Sequence, residues 1–166
     1  MFSLIISIIS IALVAALAAA TVYFGGAAFN KGTAGADSSA FINAGQQIAG
    51  AFTLSATDGD NAVALADLAD GNGAVYLSQI PSYKGASLVL DGDYVLVETG
   101  VGACTSIVSK ATGEAEDDVT FTAAAAIAPT GLFNCVQLDA TGATAAVTAG
   151  LTNIVANDYV AFYKVK

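Results

Sequence analysis

The first 24 residues of the chain are apolar on every side of a helix, and no charged side chain precedes Lys31. A helix that is apolar all round must be buried, either in lipid or among other helices. At ~1.5 Å per residue, residues 1–24 form a helix of roughly 36 Å, long enough to cross a bilayer core. Alanines in this segment would let a neighbouring helix backbone approach closely. We predict a membrane or assembly helix with large side chains at Phe2, Leu4, Ile5, Ile6, Ile8, Ile9, Leu13, Leu17, Tyr23 and Phe24.

Glycine interrupts this pattern after residue 24. Gly25 and Gly26 are adjacent, and Gly32 and Gly35 follow within ten residues. Each glycine inside a helix costs about 1 kcal/mol relative to alanine. We therefore predict a kink or a locally unwound segment over residues 25–37, with the helix break at Gly25 and Gly26. The alternative is the end of a membrane anchor followed by a linker.

A second helical pattern runs from residue 38 to residue 55, with no charge between Asp37 and Asp58. Its apolar positions recur at near-helical spacing, which predicts an amphipathic helix with one face packed on a domain. An exposed face without charge is unusual in water, so we expect neighbouring molecules to cover it. The apolar positions are Phe41, Ile42, Ile48, Phe52 and Leu54.

Beyond residue 60 the pattern changes to short segments. Residues 62–73 (AVALADLADGNG) predict a short helix ended by glycine. The segments after it, separated by Gly, Asp and Asn turns, predict strands, and LVLDGDYVLVE predicts a hairpin around Asp91-Gly92. The aromatic side chains Tyr159, Phe162 and Tyr163 are expected to pack the sheet rather than to form a binding surface. The predicted strands are AVYLSQIP, ASLVLDG, DYVLVET, CTSIVSK, VTFTAAAAIA, NCVQLDA and DYVAFYKVK.

A long N-terminal helix followed by a small antiparallel sheet belongs to the α+β class. The length of 166 residues suits one domain in addition to the leading helix. We predict an apolar helix over residues 1–24, a glycine-rich segment over 25–37 and a globular domain over 38–166. The globular domain includes the amphipathic second half of the helix.

The charge balance is acidic, with 14 Asp and Glu against 5 Lys and Arg and a net charge of −9. Hydrophobic residues make up 55% of the chain and charged residues 11%, which is unusual for a fully soluble protein. An acidic surface without a basic stripe disfavours nucleic acid as a partner. We therefore predict no nucleic-acid binding.

Catalytic motifs are missing from the chain. Without histidine, neither a Ser-His-Asp nor a Cys-His arrangement can be built. The glycine-rich stretches lack the Gly-Lys-Ser/Thr ending of a P-loop, and no strand–GxGxxG–helix unit occurs. We expect neither an enzyme nor a bound cofactor.

Two acidic stretches are candidates for cation sites. Residues 58–61 (DGDN) resemble the start of a calcium loop, but Ala62 and Ala69 occupy later ligand positions. A second run of four carboxylates could bind a cation, although such a run is more often a solvated turn. No metal site is predicted, and the weak candidates are Glu114, Glu116, Asp117 and Asp118.

The chain has two cysteines, Cys104 and Cys135. An even number of cysteines after an exported apolar segment predicts one disulfide in an oxidising compartment. The alternative is two free thiols that act as small buried apolar side chains.

Three parts of the sequence together resemble the type IV pilin family. Residues 2–9 (FSLIISII) are similar to the start of a mature pilin. Residues 65–81 (LADLADGNGAVYLSQIP) resemble the pilin segment that leaves a short helix and enters Tyr-Leu-x-x-Ile-Pro before the sheet. Cys104 and Cys135 resemble the disulfide that staples the edge of many pilin globular domains. The likeness covers the first ~80 residues in pattern and the remainder only in architecture.

The resemblance implies a subunit that waits in the inner membrane and then polymerises through its N-terminal helix into an extracellular pilus. The pilus assembly machinery would be its partner. In that family a peptidase removes a short basic leader and the new N-terminus is often methylated, so we expect the mature chain to begin at Met1 or Phe2.

The sequence departs from the family at two positions. Most pilins have a glutamate near the N-terminus, where this chain has Ile5 or Ile6. The terminal amine must therefore find carbonyls, Ser3 or Ser7 as partners, or lie less deeply buried. The helix-melting proline of the family is also absent, and Gly25 and Gly26 lie in the corresponding region.

Two other functions remain open. The chain would act as a pseudopilin or minor pilin of a secretion or uptake machine, or as a single-pass anchored domain that binds a ligand outside the membrane. A simple anchor would normally have basic residues on its cytoplasmic side. The uncharged second helix favours a polymer over an anchor.

Overall fold

A computed structural model of the chain describes residues 2–59, 64–69 and 75–166. The chain divides into two compact units, Met1–Thr33 and Ala34–Lys166. We call them the N-terminal unit and the head unit. The boundary between them lies inside the glycine-rich segment predicted over residues 25–37.

One helix, α1 (Phe2–Asp58), contributes residues to both units. It is helical at every residue, including Gly25 and Gly26. The prediction of a locally unwound segment at these two glycines was therefore wrong. Helix formation is cooperative: extending an existing helix through a glycine costs about 1 kcal/mol, whereas starting a second helix requires a new and unfavourable nucleus.

The part of α1 in the head unit is amphipathic, as predicted. Each of its buried positions has another buried position three or four residues away along the chain, which places them on one stripe of the helix. Leu54 was predicted to belong to this stripe, but its side chain is 56% exposed. It follows buried Phe52 by two residues, or about 200° around the helix, and therefore points elsewhere. The buried residues are Ser38, Phe41, Ala44, Gly45, Ile48, Ala51, Phe52 and Ser55.

The head unit contains a four-stranded antiparallel sheet with strand order β3-β4-β6-β5. A separate two-stranded hairpin precedes it. Single 3-10 turns occupy Ala66–Leu68 and Glu116–Asp118. The strands and remaining helices are β1 (Ser82–Tyr83), β2 (Ala86–Ser87), β3 (Val89–Asp91), β4 (Tyr94–Thr99), α2 (Val101–Thr112), β5 (Phe133–Gln137), α3 (Ala140–Thr148) and β6 (Tyr159–Lys164).

The long helix and the small antiparallel sheet confirm the α+β prediction, and the arrangement is consistent with a pilin-like fold. The predicted hairpin is also present, since Asp91 pairs with Tyr94 across the β3–β4 loop. Gly92 begins this loop with φ +58°, a value that favours glycine.

Several predicted elements differ in the structure. CTSIVSK lies in α2 rather than in a strand, because Gly100 and Gly113 bound a helix whose buried face packs on the sheet. VTFTAAAAIA forms one isolated bridge at Ala124, and the described part of AVYLSQIP contains no strand. Only residues 64–69 of the short helix predicted over 62–73 are described, and they contain a single 3-10 turn.

Helix α3 was not predicted. Asp139 accepts hydrogen bonds from the N–H groups of Thr141 and Gly142, both at 2.8 Å, and so caps its first turn. The capping aspartate was a recognisable signal at the end of the predicted strand NCVQLDA, but the Ala- and Thr-rich sequence after it has little amphipathic contrast.

The four-stranded sheet has a hydrophobic core on each face. Val95, Val97 and Ala161 pack with residues of α1 and α2 on one face. Leu96 and Phe162, together with other residues, pack with α3 and the segment after it on the other face. Because successive strand side chains point to opposite faces, both covered faces require apolar residues. The central strands β4 and β6 therefore contain nearly continuous apolar runs.

Candidate functional site: the exposed apolar helix

The N-terminal unit exposes its apolar side chains. All ten residues predicted to form the assembly helix are exposed, from 53% at Ile5 to 84% at Phe2. The prediction omitted four further large side chains that the structure exposes in the same unit. They are Ile11, Val14, Val22 and Phe29. The candidate site is therefore a surface that continues along the helix to residue 29.

By length and composition, α1 is able to cross a membrane. Its most apolar window has a mean hydropathy of 2.6, and no part of that window is buried within the chain. A membrane anchor and a signal-like segment both have these properties. The N-terminal helix thus has the length and composition of a membrane anchor or a signal-like segment.

Three hydroxyl side chains of this segment are compatible with an apolar environment. The hydroxyl of Ser7 donates to the carbonyl oxygen of Ser3 at 2.9 Å, and that of Ser10 donates to Ile6 at 2.8 Å. Thr21 donates to Ala18 at 2.9 Å in the same way. Because these donors are satisfied inside the helix, burying them costs less than burying free hydroxyls.

Charge is distributed very unequally between the two units. Lys31 is the one charged residue in the sequence of the N-terminal unit. The head unit has four Lys against 14 Asp and Glu, which is a net charge of −10. The apolar segment that precedes Lys31 therefore carries no charged side chain, whereas the head unit is strongly acidic.

Helix α2 is fastened to the beginning of α1 in the head unit. The Nζ atom of Lys110 donates to the carbonyl oxygen of Gly35 at 3.2 Å and to the hydroxyls of Ser38 and Ser39. The buried hydroxyls of Ser38 and Ser106 lie 3.0 Å apart and form a further hydrogen bond. These contacts hold α2 against the first turns of α1 that belong to the head unit, beginning at Gly35.

The β1–β2 hairpin holds the same part of α1 from another side. Lys84 forms an ion pair with Asp37, and this hydrogen-bonded contact raises the pKa of Lys84. Tyr83 packs edge-on against Phe41, and its hydroxyl is 2.9 Å from that of Thr99. Burial raises the pKa of Tyr83. The turn has φ +50° at Lys84 and +79° at Gly85, as in the tight turns that suit two-residue hairpins.

The predicted disulfide between Cys104 and Cys135 is confirmed. It joins α2 to the edge strand β5, with the two Cα atoms 5.4 Å apart and both residues buried. It closes a separation of 31 residues. In the chain-entropy model, closing a loop of this length raises the free energy of unfolding by roughly 3–4 kcal/mol.

The weak cation candidates do not converge. Glu114 follows α2, and Glu116, Asp117 and Asp118 form a 3-10 turn. Within the described ranges, no group of three or more Asp, Glu or Cys side chains is close enough to hold a metal ion. Of the calcium-like stretch, Asp58 ends α1, and residues 60 and 61 lie outside the described part of the chain.

Two grooves of the head unit were not anticipated from the sequence. One of about 350 Å³ lies between α3 and residues 154–156 and is almost entirely apolar. Another of about 200 Å³ lies between β5 and residues 120–122, next to Cys135.

No protein-family model, curated protein or solved structure matches this chain. The functional argument therefore rests on the residues and contacts described above.

Proposed function

We propose that this chain is a structural subunit that polymerises through its N-terminal helix into an extracellular, pilus-like filament. The observation that carries the proposal is the N-terminal unit itself, whose large apolar side chains are all exposed where they are described. The unit is long enough to wait in the inner membrane and apolar enough to form the core of a polymer.

The driving force in this proposal is burial of apolar surface. Moving a large aliphatic or aromatic side chain out of water contributes about 1.5–3 kcal/mol. Fourteen such side chains are exposed among the described residues of the N-terminal unit. Outside the lipid, packing these helices together is therefore strongly favoured over exposing them to water.

The head unit has the features expected of a filament coat. Its two-sided core and its disulfide stabilise its fold through contacts within the unit. Its net charge of −10, from four Lys and 14 Asp and Glu, keeps an outward-facing surface soluble. Assembly by pilus machinery is part of the same proposal.

A second candidate function uses the same helix as a single-pass anchor for an extracytoplasmic binding domain. The length and hydropathy of α1 support this candidate equally well. A pseudopilin or minor pilin is a variant of the first candidate and would form short or scarce filaments. Filament length and abundance distinguish a major subunit from a pseudopilin or minor pilin, and the absence of filaments distinguishes the anchor from both.

The first experiment is electron microscopy of material sheared from cells that produce the chain, with the subunit identified by intact mass. The expected result is uniform thin filaments containing residues 1–166 or 2–166 with one disulfide. If the chain is recovered only as a detergent-soluble membrane monomer, the polymer proposal is wrong and the anchor replaces it.

A paired substitution sharpens this test. Leu17→Ala keeps the segment apolar and helical, so membrane insertion should persist while helix packing in the polymer weakens. Leu132→Ala, at an exposed leucine of the head unit, is the control. A filament yield reduced several-fold by the first change and not by the second supports polymerisation. Equal yields contradict it.

A further inference from the structure

Aromatic side chains bracket the aliphatic part of the N-terminal unit. Phe2 and Tyr23 are both exposed, and residues 3–22 between them contain no aromatic side chain. At ~1.5 Å per residue, the two aromatic residues lie roughly 32 Å apart along the helix axis. This separation matches the hydrocarbon core of a bilayer, about 30 Å thick, and tyrosine is enriched at the interfaces that bound that core. Residues 2–23 therefore have the length of one crossing.

The exposed apolar surface continues beyond this crossing. Phe24 and Phe29 are both exposed and lie after Tyr23 on the same helix. From Phe2 to Phe29 the helix rises roughly 41 Å. Placing this whole length within the hydrocarbon core would need a tilt of about 42°, roughly twice the average tilt of transmembrane helices. The last part of the apolar surface therefore fits the headgroup layer better than the hydrocarbon.

A ring and a cation lie on one side of the helix in this last part. Phe24 and Lys31 are seven residues apart, which is nearly two full turns, so their side chains point in almost the same direction. Residues 25–28 between them are Gly-Gly-Ala-Ala. Both Phe24 and Lys31 are exposed. A large apolar ring, a stretch of small residues and an ammonium group therefore follow one another along this side.

The position of Lys31 suits a lipid phosphate. Its Cα atom lies ~12 Å beyond that of Tyr23 along the helix axis, and the headgroup layer is roughly 5–7 Å thick on each side of the core. Helical side chains tilt toward the N-terminus, which here is toward the core. The long apolar stem of lysine can follow this direction while the ammonium group stays in the polar layer. Lys31 thus reaches back to the depth of the phosphates.

The charge of the two units indicates that this attraction is confined to Lys31. The N-terminal unit has no Asp or Glu in its sequence, so N-terminal units packed side by side offer Lys31 no carboxylate. An anionic bilayer offers phosphates at the required depth. The head unit, with four Lys against 14 Asp and Glu, is repelled by the same bilayer surface.

We propose that residues 23–31 form a headgroup segment, in which Tyr23 and Phe24 lie at the edge of the hydrocarbon core and the Lys31 ammonium binds the phosphate of an anionic phospholipid. The inference rests on the membrane-bound stage of the proposed function, which the polymer and the anchor share. It adds the depth at which the helix sits in the bilayer and the class of lipid that it binds.

The first experiment measures depth in the full chain, reconstituted in vesicles of phosphatidylcholine and phosphatidylglycerol. A fluorophore is attached to Leu13→Cys, at the midpoint of the crossing, or to Gly26→Cys, where a Cβ meets no atom within 4 Å. Cys104 and Cys135 are joined in a disulfide and do not compete for the label. Nitroxide lipids labelled deep in the acyl chain should quench the fluorophore at position 13. Lipids labelled at the headgroup should quench the one at position 26, roughly 20 Å from the midpoint.

Two results at position 26 would overturn the inference. Quenching mainly by the deep nitroxide would place the apolar surface up to Phe29 inside the hydrocarbon. Quenching by neither nitroxide would place residues 23–31 in water.

The second experiment tests the phosphate contact with the same fluorophore at position 26. Quenching by headgroup-labelled phosphatidylglycerol is compared with quenching by headgroup-labelled phosphatidylcholine. Lys31→Gln should lower the preference for phosphatidylglycerol several-fold, by about five-fold at most. Lys164→Gln, at an exposed lysine of the head unit, makes the same change in net charge and should leave the preference unchanged. Equal effects of the two substitutions, or no effect of Lys31→Gln, would show that Lys31 does not bind the lipid.

These outcomes are distinguishable from failure of the proposed function, because neither measurement requires filaments. Filaments from a chain whose position 26 lies in the hydrocarbon overturn this inference and leave the polymer in place. The expected depth and lipid preference without filaments support this inference and favour the anchor. A chain that does not enter the vesicles overturns both this inference and the membrane-bound stage.

Discussion

The two units of this chain carry apolar residues in opposite ways. In the head unit, Ile48 is completely buried against the sheet, and in the N-terminal unit, Ile8 is 59% exposed. Both residues lie on the same helix, α1. The comparison shows that hydrophobicity alone does not identify a core. An apolar residue stabilises the folded chain only where a second element covers it, and elsewhere it is available to lipid or to another molecule.

The largest expected effect comes from making the same substitution in both units. Ile48→Ala should lower the free energy of unfolding of the head unit by about 2–5 kcal/mol, because it leaves a cavity in the core. Ile8→Ala should leave that free energy unchanged and should instead reduce filament yield. Denaturation of the full chain in mild detergent, followed by near-ultraviolet circular dichroism, measures the first quantity. Equal effects on unfolding would contradict the division into two units.

Removing the disulfide tests whether the head unit is stable independently of the N-terminal unit. Replacing Cys104 and Cys135 by alanine should lower the free energy of unfolding by roughly 3–4 kcal/mol, because the unfolded chain regains the freedom of a loop of that length. Membrane insertion, measured by the fraction of chain that remains in membranes after alkaline washing, should not change. A loss of insertion would show that the N-terminal unit depends on the head unit.

Alanine substitutions at two glycines of α1 should change the stability of the head unit by smaller and opposite amounts. A Cβ at Gly45 would overlap the ring of Tyr163 in β6, whereas a Cβ at Gly50 would meet no atom within 4 Å. Gly45→Ala should therefore destabilise the head unit by about 1–3 kcal/mol. Gly50→Ala should stabilise it by about 0.5–1 kcal/mol through better helix propensity. Thermal unfolding of both variants measures the difference, and a shared sign would place α1 differently on the sheet.

The smallest effect concerns alkaline pH and is confined to the head unit. Burial raises the pKa of Tyr83 and of Tyr163 above the ordinary value of 10.0. The contact with Asp37 raises the pKa of Lys84 above 10.5. Since the folded state holds these protons more tightly than the unfolded state, their contribution is complete below pH ~10 and is lost as the pH rises further.

The share of the exposed Lys84–Asp37 pair in this effect is below about 1 kcal/mol. Denaturation curves between pH 8 and pH 11.5 test the sign, and Lys84→Met removes the part that belongs to the ion pair. A stability that rises above pH 10 would refute the assignment. The helicity of the N-terminal unit should not vary over the same range.

The sequence by itself determined the features that depend on neighbouring residues. These include the apolar helix, the amphipathic pattern after residue 37, the β3–β4 hairpin at Gly92 and the pairing of the two available cysteines. In each case the signal lies within one helical turn, within one tight turn, or in a count of two cysteines that allows a single pair.

Tertiary structure decided the features that depend on what lies opposite each segment. CTSIVSK has a pattern that suits either a strand or a helix, and it is helical because its buried face meets the sheet beside Cys135. The close approach of Gly45 to Tyr163 joins residues far apart in the chain, so no local pattern reveals it. The exposure of Leu54 depends on the position of α1 on the sheet, and the groove at α3 depends on how residues 154–156 return to it. Periodicity specifies which residues share a face, whereas only the packed chain decides which faces are covered.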